Sequence, residues 1–150
     1  CFDGQCLEKA EKNRGFQRAL KAPQLKIVIA DLAEQIVLAL ETRIIDLLSL
    51  AAVAKHTVSG MDSLSRGLDR LKGFVLAGDV ALATEKKVRQ WARVRALPIV
   101  EYGDAESLGR TQNKPARVVV GVCEARSFTA IMAAVDRRNR VLVATRNQNS

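Results

Sequence analysis

The sequence predicts an α/β domain, and two patterns carry that prediction. After Gly60, short apolar segments bounded by glycine or proline alternate with longer segments whose apolar residues recur at helical spacing. This alternation indicates strands joined by helices and favours a largely parallel sheet with helices on both faces. At 150 residues, 48% of them hydrophobic, the chain is long enough for one packed core. We therefore expect an α/β/α sandwich with a small mixed, largely parallel sheet, preceded by an N-terminal helical segment.

The N-terminal segment has the pattern of an amphipathic helix. Residues Cys6 to Ala22 place Leu7 and Phe16 among charged residues at helix-like separations. Pro23 ends the predicted helix, because proline disfavours helical geometry in the residue before it. The segment "LKIVI" that follows, residues 25–29, reads as a short strand or an extended linker.

The next region, from Asp31 to Val58, returns to helical periodicity. Asp31 is placed to cap the helix, with Glu34 three residues further on. The apolar residues are too many for one stripe, which predicts two helices in sequence, or one bent helix, largely buried.

From Gly60 onward the predicted elements follow in order. They are a helix from about Asp62 to Lys72, the strand "GFVLAGD", the basic helix "ATEKKVRQWARVRA", the strand "LPIVEY" with Pro98 at its first position or on a sheet edge, a short helix "DAESLGR", the loop "TQNKPA", the strand "RVVVGVC", a helix from about Ala125 to Arg138, and the polar tail "TRNQNS".

Composition narrows the class of partner. The net charge of +8 favours a polyanion, and an anionic membrane surface fits that charge equally well. The region from Ile27 to Val58 is the most apolar, but charged residues interrupt every stretch long enough to span a bilayer. Three cysteines without a framework spacing suit a reducing cytosol, so a cytoplasmic protein is expected.

Few residues point to catalysis. Neither GxGxxG nor GxxxxGK[ST] occurs, and His56, the single histidine, belongs to no nucleophile signature. Asp79 follows an apolar strand, where it either faces a ligand or, as we favour, complements the start of the basic helix. Cys1 and Cys6 have no second pair to complete a zinc site. We expect no enzyme activity, no metal and no cofactor.

Basic residues gather at three places. One set lies on the helix after Gly60 and a second on the helix around Trp91, where a solvated face is an equally good explanation. The third set flanks the loop "GRTQNKPAR", which contains no acidic residue. Together the three sets can neutralise several phosphates.

The segments "SGMDSLSRGL", "GFVLAGDVALATEKKVRQWARVRALPIVEYGDAESLGR" and "KPARVVVGV" resemble, in order and spacing, the kink-turn-binding ribosomal-protein family, the group of archaeal large-subunit protein seven-Ae and eukaryotic large-subunit protein thirty. The match covers roughly Asp46 to Val135. Ahead of it, "CLEKAEKNRGFQRALK" resembles the closing helix of the bacterial YlxR-like RNA-binding domain, whose body would precede Cys1.

The resemblance implies a three-layer α/β/α sandwich that binds structured RNA, ribosomal or another non-coding RNA, through a helix start and a second loop. In this sequence Gly60 matches the family's glycine. Asp62, Ser63 and Arg66 stand where the family usually has Asn, Glu and Lys. The full set of expected RNA-contacting residues is Ser59, Gly60, Asp62, Ser63, Arg66, Arg110, Lys114, Pro115, Ala116 and Arg117.

The expected organisation has four parts: residues 1–24 as the end of a YlxR-like domain with its linker, 25–45 as a connecting strand or helix, 46–144 as the kink-turn-type domain, and 145–150 as a polar tail. The expected function is non-enzymatic binding of structured RNA, with ribosome association and no membrane. Two other interpretations stay open: the substrate-binding part of an RNA-modifying enzyme, and a protein-interaction scaffold.

Overall fold

A computed structural model describes residues 4–148, with side chains over 5–143. The helices and strands in chain order are α1 (Gly4–Lys12), α2 (Gly15–Ala19), α3 (Ile29–Val53), β1 (Thr57–Ser59), α4 (Met61–Gly67) with a 3-10 turn (Leu68–Arg70), β2 (Gly73–Leu76), α5 (Leu82–Arg95), β3 (Ile99–Glu101), α6 (Ala105–Thr111), β4 (Val119–Val122) and α7 (Ala125–Gln148). The predicted α/β class is confirmed.

The sheet is mixed, with strand order β1-β4-β2-β3. Only β2 and β3 pair in parallel, whereas β4 runs antiparallel to both β1 and β2. The expectation of a largely parallel sheet is therefore wrong. A run of buried apolar residues marks a strand without encoding its direction, and β1, whose three residues are only half-buried, was not anticipated.

The strand assignments that the sequence supports best are the buried ones. All residues of β2 and β4 are buried, as continuous apolar runs predict. β3 lies at an edge of the sheet, and Pro98 directly precedes it, where a missing N–H breaks no ladder hydrogen bond.

The core of the sheet unit lies between the helices and the central strands. Phe74, Leu64 and Val88 are fully buried and belong to one apolar cluster. On the other side of β2, the ring of Phe128 lies against Gly73, where an added Cβ would stand 2.3 Å from the ring. Helices thus cover both faces of the sheet.

Several helix boundaries differ from the predicted ones. The N-terminal helix is divided into α1 and α2, because Arg14 between them has left-handed geometry with φ of 50°. Residues 25–28 form no strand, so of the two alternatives for this segment the extended linker is the one observed. α3 is one continuous helix that begins at Ile29, so Asp31 lies in its first turn and does not precede it as a cap.

At the C-terminus, α7 continues to Gln148, ten residues past the predicted end at Arg138, and includes most of the predicted polar tail. Residues 149 and 150 of that tail lie outside the described residues. So does Cys1, and with it the possible Cys1–Cys6 half-site.

The chain divides into two compact units, one formed by Cys1–Arg43 with Ala134–Ser150 and the other by Ile44–Ala133. The first unit buries Ala33, Val135 and Val141, and Arg138 forms an ion pair with Glu41 at 2.8 Å. The second contains the whole sheet. The four-part organisation expected from the sequence stays a prediction.

Candidate nucleic-acid interface

The pairing of β1 with β4 brings the two predicted RNA-contacting segments together. Ser59 pairs with Val120, so Gly60, the next residue, lies across from the start of β4 and the loop before it. The two segments meet at a surface groove of about 210 Å³. This Gly60 groove is lined by Gly60, Met61, Leu64, Ala116, Arg117, Val118 and Val119.

Gly60 begins α4 in a conformation that suits only glycine. Its φ is 97°, which is unfavourable for a residue with a Cβ. The carbonyl of Gly60 accepts the first hydrogen bond of the helix, from the N–H of Leu64 at 2.9 Å. Nothing lies within 4 Å of the position that a Cβ would take, so the space in front of Gly60 is open to a ligand.

The polar residues of α4 point into solvent. Asp62, Ser63 and Arg66 are all exposed. The Arg66 Nε donates a hydrogen bond to the backbone carbonyl of Asp62 at 3.2 Å, and the hydroxyl of Ser65 donates to the same oxygen at 2.9 Å. Arg66 therefore lies along the same face of the helix as Asp62, as their four-residue spacing predicts.

Backbone hydrogen bonds hold the second loop in place. The N–H of Lys114 donates to the carbonyl of Gly109 at 3.0 Å, and that of Arg117 donates to Ala105 at 2.7 Å. An added Cβ on Gly109 would lie 2.1 Å from the Pro115 carbonyl oxygen. The loop thus rests directly on the backbone of α6, and only a glycine at this position permits that approach.

A side-chain bridge connects β1 to the end of α6. The Thr57 hydroxyl donates to the amide oxygen of Gln112 at 2.6 Å, and the Gln112 amide donates to Thr111 at 3.1 Å. Because Thr57 begins the strand that leads into Gly60 and Gln112 begins the loop, this bridge fixes one side of the groove relative to the other.

Two acidic side chains fix the start of α6. Asp104 accepts a hydrogen bond from the Ser107 N–H in a capping box, and this bond, with a smaller one from the Ser107 hydroxyl, lowers the pKa of Asp104 below its ordinary value of 3.8. Asp79 accepts from the Ala105 N–H at 2.8 Å. Asp79 precedes α5 as expected, but its side chain serves the start of α6, and no side chain caps α5.

Arg117 is the cation that belongs to the groove itself. Its Nη1 donates to the Ala116 carbonyl at 2.9 Å. Its Nε is buried and has no hydrogen-bond partner in the part of the chain that the structure describes. A buried donor without an acceptor is unfavourable, so the Arg117 Nε is an exception among the buried polar atoms of this unit.

Of the ten predicted residues, the structure places Gly60, Ala116 and Arg117 in the groove. Lys114 and Pro115 are exposed in the adjoining loop, and Ser59 ends β1. Arg110 lies on α6, where its guanidinium is 3.8 Å from Glu106. Sequence reasoning missed Met61, Leu64, Val118 and Val119, which give the groove its apolar lining. The spacing of Met61 and Leu64, one and four residues after Gly60, was the sequence feature from which an apolar lining beside the helix start could have been predicted.

The basic helix α5 is a second charged surface in the same unit. Part of its charge is balanced internally, because Arg89 bridges Glu85 and Glu101 and Arg95 pairs with Asp69. The Lys87 ammonium lies 5.2 Å from the centre of the Trp91 ring. The exposed residues Lys86 and Arg93 form no ion pair with another described residue.

Cys123, whose backbone is hydrogen-bonded to that of His56, does not have an activated thiol. The Cys123 N–H donates to the His56 carbonyl at 2.7 Å. Burial raises the pKa of the Cys123 thiol, and the nearby charges of Arg70 and Lys72 only partly oppose that effect. The thiol is therefore protonated at neutral pH.

Among residues 4–148, no three His, Cys, Asp or Glu side chains gather as metal ligands. Within the same range no helix is both long and apolar enough to cross a membrane.

No family model and no curated protein sequence matches the chain. Solved structures do. A protein of unknown function from Bacillus halodurans is 27% identical, with a TM-score of 0.59 over 62% of this chain and 96% of that one. The 15.5kD RNA binding protein of Giardia lamblia is 14% identical, with a TM-score of 0.51 over 69% of this chain and 90% of that one. The matched part of the chain, 62% in one comparison and 69% in the other, therefore has the fold of these two proteins.

Proposed function

We propose that this chain is a non-enzymatic RNA-binding protein that recognises structured RNA through the Gly60 groove and the cations beside it. The proposal rests on one observation: the two predicted RNA-contacting segments meet at the Gly60 groove. The β1–β4 register brings the open helix start at Gly60 against the loop that holds Lys114 and Arg117. The fold shared with an RNA binding protein supports the same conclusion.

The chemistry of the groove suits a folded RNA. Arg66 and Lys114 are exposed cations on its two sides, able to bind phosphates, and the Arg117 Nε is a buried donor without an acceptor among the described residues. Asp62 can accept a hydrogen bond from the amino or imino group of a guanine edge. The apolar lining from Met61 and Val118 offers a surface to a base that has left the stack.

The target class that we propose is a kink-turn or a related bend in ribosomal or other non-coding RNA. The sequence resemblance in "SGMDSLSRGL" and "KPARVVVGV" supports this choice. Aromatic residues are few, with one Trp, one Tyr and four Phe, so a stacking platform for single strands is poorly supplied. A folded target is therefore the better match.

The test is a mobility-shift titration of a kink-turn RNA, with an unpaired RNA of the same length beside it. The double variant Arg66→Glu with Lys114→Glu should weaken binding about 100-fold, because it replaces two charge-assisted contacts with repulsion. It should also flatten the dependence of log Kd on log salt by about two units, one for each lost phosphate contact.

The matched control is Lys86→Glu with Arg93→Glu, which makes the same change of charge on α5. We expect this control to weaken binding less than about fivefold, through the general field of the protein alone. Equal losses from the two double variants would refute the groove as the RNA surface.

A further inference from the structure

A second cavity is present in the unit that contains the N-terminal helices, and it shares no residue with the Gly60 groove. Its volume is about 480 Å³, within the range of small-ligand sites. This Gln17 pocket is formed by α1, α2 and the extended linker between Glu11 and Ile27. The residues that matter for a ligand are Lys12, Arg14, Gln17, Leu25 and Lys26.

Gln17 lines the pocket, and one atom of its side chain has no hydrogen-bond partner among the described residues. Its Nε2 donates to the Leu25 carbonyl at 3.0 Å, which holds the linker against α2. Its Oε1 is buried and has no hydrogen-bond partner among the described residues. Buried polar atoms are nearly always paired, so this oxygen lacks the partner that such atoms usually have.

The charge of the pocket favours an anion. Lys12, Arg14 and Lys26 border it, against the single carboxylate of Glu11. None of the three cations forms an ion pair with a carboxylate in the described part of the chain. A compact anionic group can therefore contact two or three of them without displacing an existing partner.

The third feature is an apolar wall. Pro23, Leu25 and Ile27 line the same pocket as the cations and Gln17. An anion alone would leave this wall and the Gln17 oxygen unused. The pocket thus matches a ligand that combines a negative group, an N–H donor and a flat apolar surface.

We propose that the Gln17 pocket binds a nucleotide. The phosphate contacts Lys12, Arg14 and Lys26, and an exocyclic amino group of the base donates to the Gln17 Oε1 while the ring lies on the apolar wall. Adenine, guanine and cytosine carry such an amino group and uracil does not. An acidic peptide supplies charge and N–H groups but no flat ring for the wall. The proposal does not rest on the function assigned to the Gly60 groove.

The chain provides a matched pair of variants. Arg14 and Lys21 are exposed cations of the same unit, and both have left-handed backbone geometry, with φ of 50° and 52°. Only Arg14 lines the pocket. Arg14→Gly and Lys21→Gly therefore remove the same charge and relieve the same backbone strain, and they differ in their position relative to the pocket.

The experiment is an NMR titration of the full 150-residue chain with adenosine 5′-monophosphate, uridine 5′-monophosphate and inorganic phosphate. We expect the adenosine nucleotide to shift amide resonances between residues 11 and 27. Its Kd should rise about tenfold in Arg14→Gly and less than twofold in Lys21→Gly. Gln17→Met removes the Nε2 bond to Leu25 for both ligands, but only the base contacts the Gln17 Oε1, so it should weaken the adenosine nucleotide about tenfold more than it weakens inorganic phosphate.

Two further arms identify the source of the nucleotide and separate the two sites. An oligoadenylate that binds more than tenfold tighter than the mononucleotide indicates an RNA strand, whereas equal affinities indicate a free nucleotide. Arg66→Glu with Lys114→Glu should leave the titration of the mononucleotide unchanged.

The proposal is overturned if the adenosine nucleotide shifts no resonance between residues 11 and 27, or if Arg14→Gly and Lys21→Gly lose affinity equally. Binding of a heptaglutamate peptide as tight as that of the adenosine nucleotide would also overturn it, because the pocket would then respond to charge alone.

Discussion

Gly60 lines the Gly60 groove, whereas Gly109 supports the loop on its other side, so the two glycines serve the groove in different ways. Gly60 is required by its backbone, with φ of 97°, and nothing lies within 4 Å of the place of its missing Cβ. Gly109 has no left-handed geometry, but the Pro115 carbonyl oxygen lies 2.1 Å from the place of its missing Cβ. One glycine keeps a space open, and the other allows a loop to close against a helix.

This difference shows how the groove is formed. The Gly109 side is a packed support, in which the loop gains its position from contact with α6. On the Gly60 side the space next to the Cα of Gly60 is empty, because no atom of the protein lies within 4 Å of the position of its missing Cβ. In the proposed binding mode a ligand contacts the open side, and the supported side determines where Lys114 and Arg117 lie.

Gly109→Ala should have the largest effect. The added methyl group collides with the Pro115 carbonyl, so the loop must shift or α6 must tilt, at a cost of about 1–3 kcal/mol in the free energy of unfolding. Because the shift moves the cations of the loop, RNA affinity should fall at least tenfold. Urea denaturation and the mobility-shift titration measure the two effects. An affinity that survives the loss of stability would show that the loop does not contact RNA.

Gly60→Ala should have a smaller effect of a different kind. Forcing an L-residue to a φ of 97° with a ψ of 131° costs about 1–3 kcal/mol, while the space around the new methyl group is free. We expect the free energy of unfolding to fall by that amount. RNA affinity should fall by about threefold to tenfold, because the methyl group occupies the approach. A crystal structure of the variant with an unchanged loop at residues 114–117 would confirm that the two glycines act separately.

Asp62→Asn should change affinity without changing stability. Asp62 is exposed and has no side-chain partner among the described residues that this change would remove, whereas an amide can both accept and donate hydrogen bonds to a base. We expect binding of a kink-turn RNA to strengthen about threefold. The same variant should bind an unpaired RNA as the original chain does. Equal strengthening on both RNAs would indicate a simple loss of repulsion from phosphates.

Asp104→Asn should have the smallest effect, visible only in acid. The pKa of Asp104 is lowered in the folded state by the Ser107 N–H, so its stabilising contribution is fully present above the ordinary value of 3.8. That contribution is lost as the pH falls through the lower folded-state pKa. Asparagine also caps helices well, so the free energy of unfolding at pH 7 should not change. Its decrease at acid pH should become shallower in the variant.

Unfolding curves between about pH 2 and pH 7 check this prediction. Glu124, whose pKa is lowered by the N–H groups of Arg126 and Ser127, keeps its own acid dependence in both proteins. An identical dependence on acid pH in the variant would mean that the titration of Asp104 contributes nothing to the pH dependence of folding.

The sequence predicted the parts of the fold that local patterns encode. β2 and β4 follow from apolar runs, and α5 and α6 from their helical periodicity. β1 was missed because Thr57–Ser59 is only three residues long and half-buried, so it lacks both the length and the alternation of a recognisable strand. Its existence depends on β4, sixty residues further along the chain, which no local pattern reveals.

For the candidate site, as for the fold, the sequence predicted the local features but not the contacts between distant residues. Gly60 and the loop at Lys114 were identified from a resemblance, but the reason for their meeting, the pairing of Ser59 with Val120, is a long-range property of the sheet. The role of Asp79 was assigned to the nearest helix, α5, whereas its hydrogen bond reaches Ala105, 26 residues away. Contacts between residues distant in sequence account for both differences.

The measurement that tests the central claim most directly is photocrosslinking of the chain to a kink-turn RNA containing 4-thiouridine, followed by mass spectrometry of the crosslinked peptides. The groove account predicts crosslinks on both sides, within residues 59–66 and within residues 110–119, at the same site of the RNA. Crosslinks confined to α5 between Lys86 and Arg95 would contradict it.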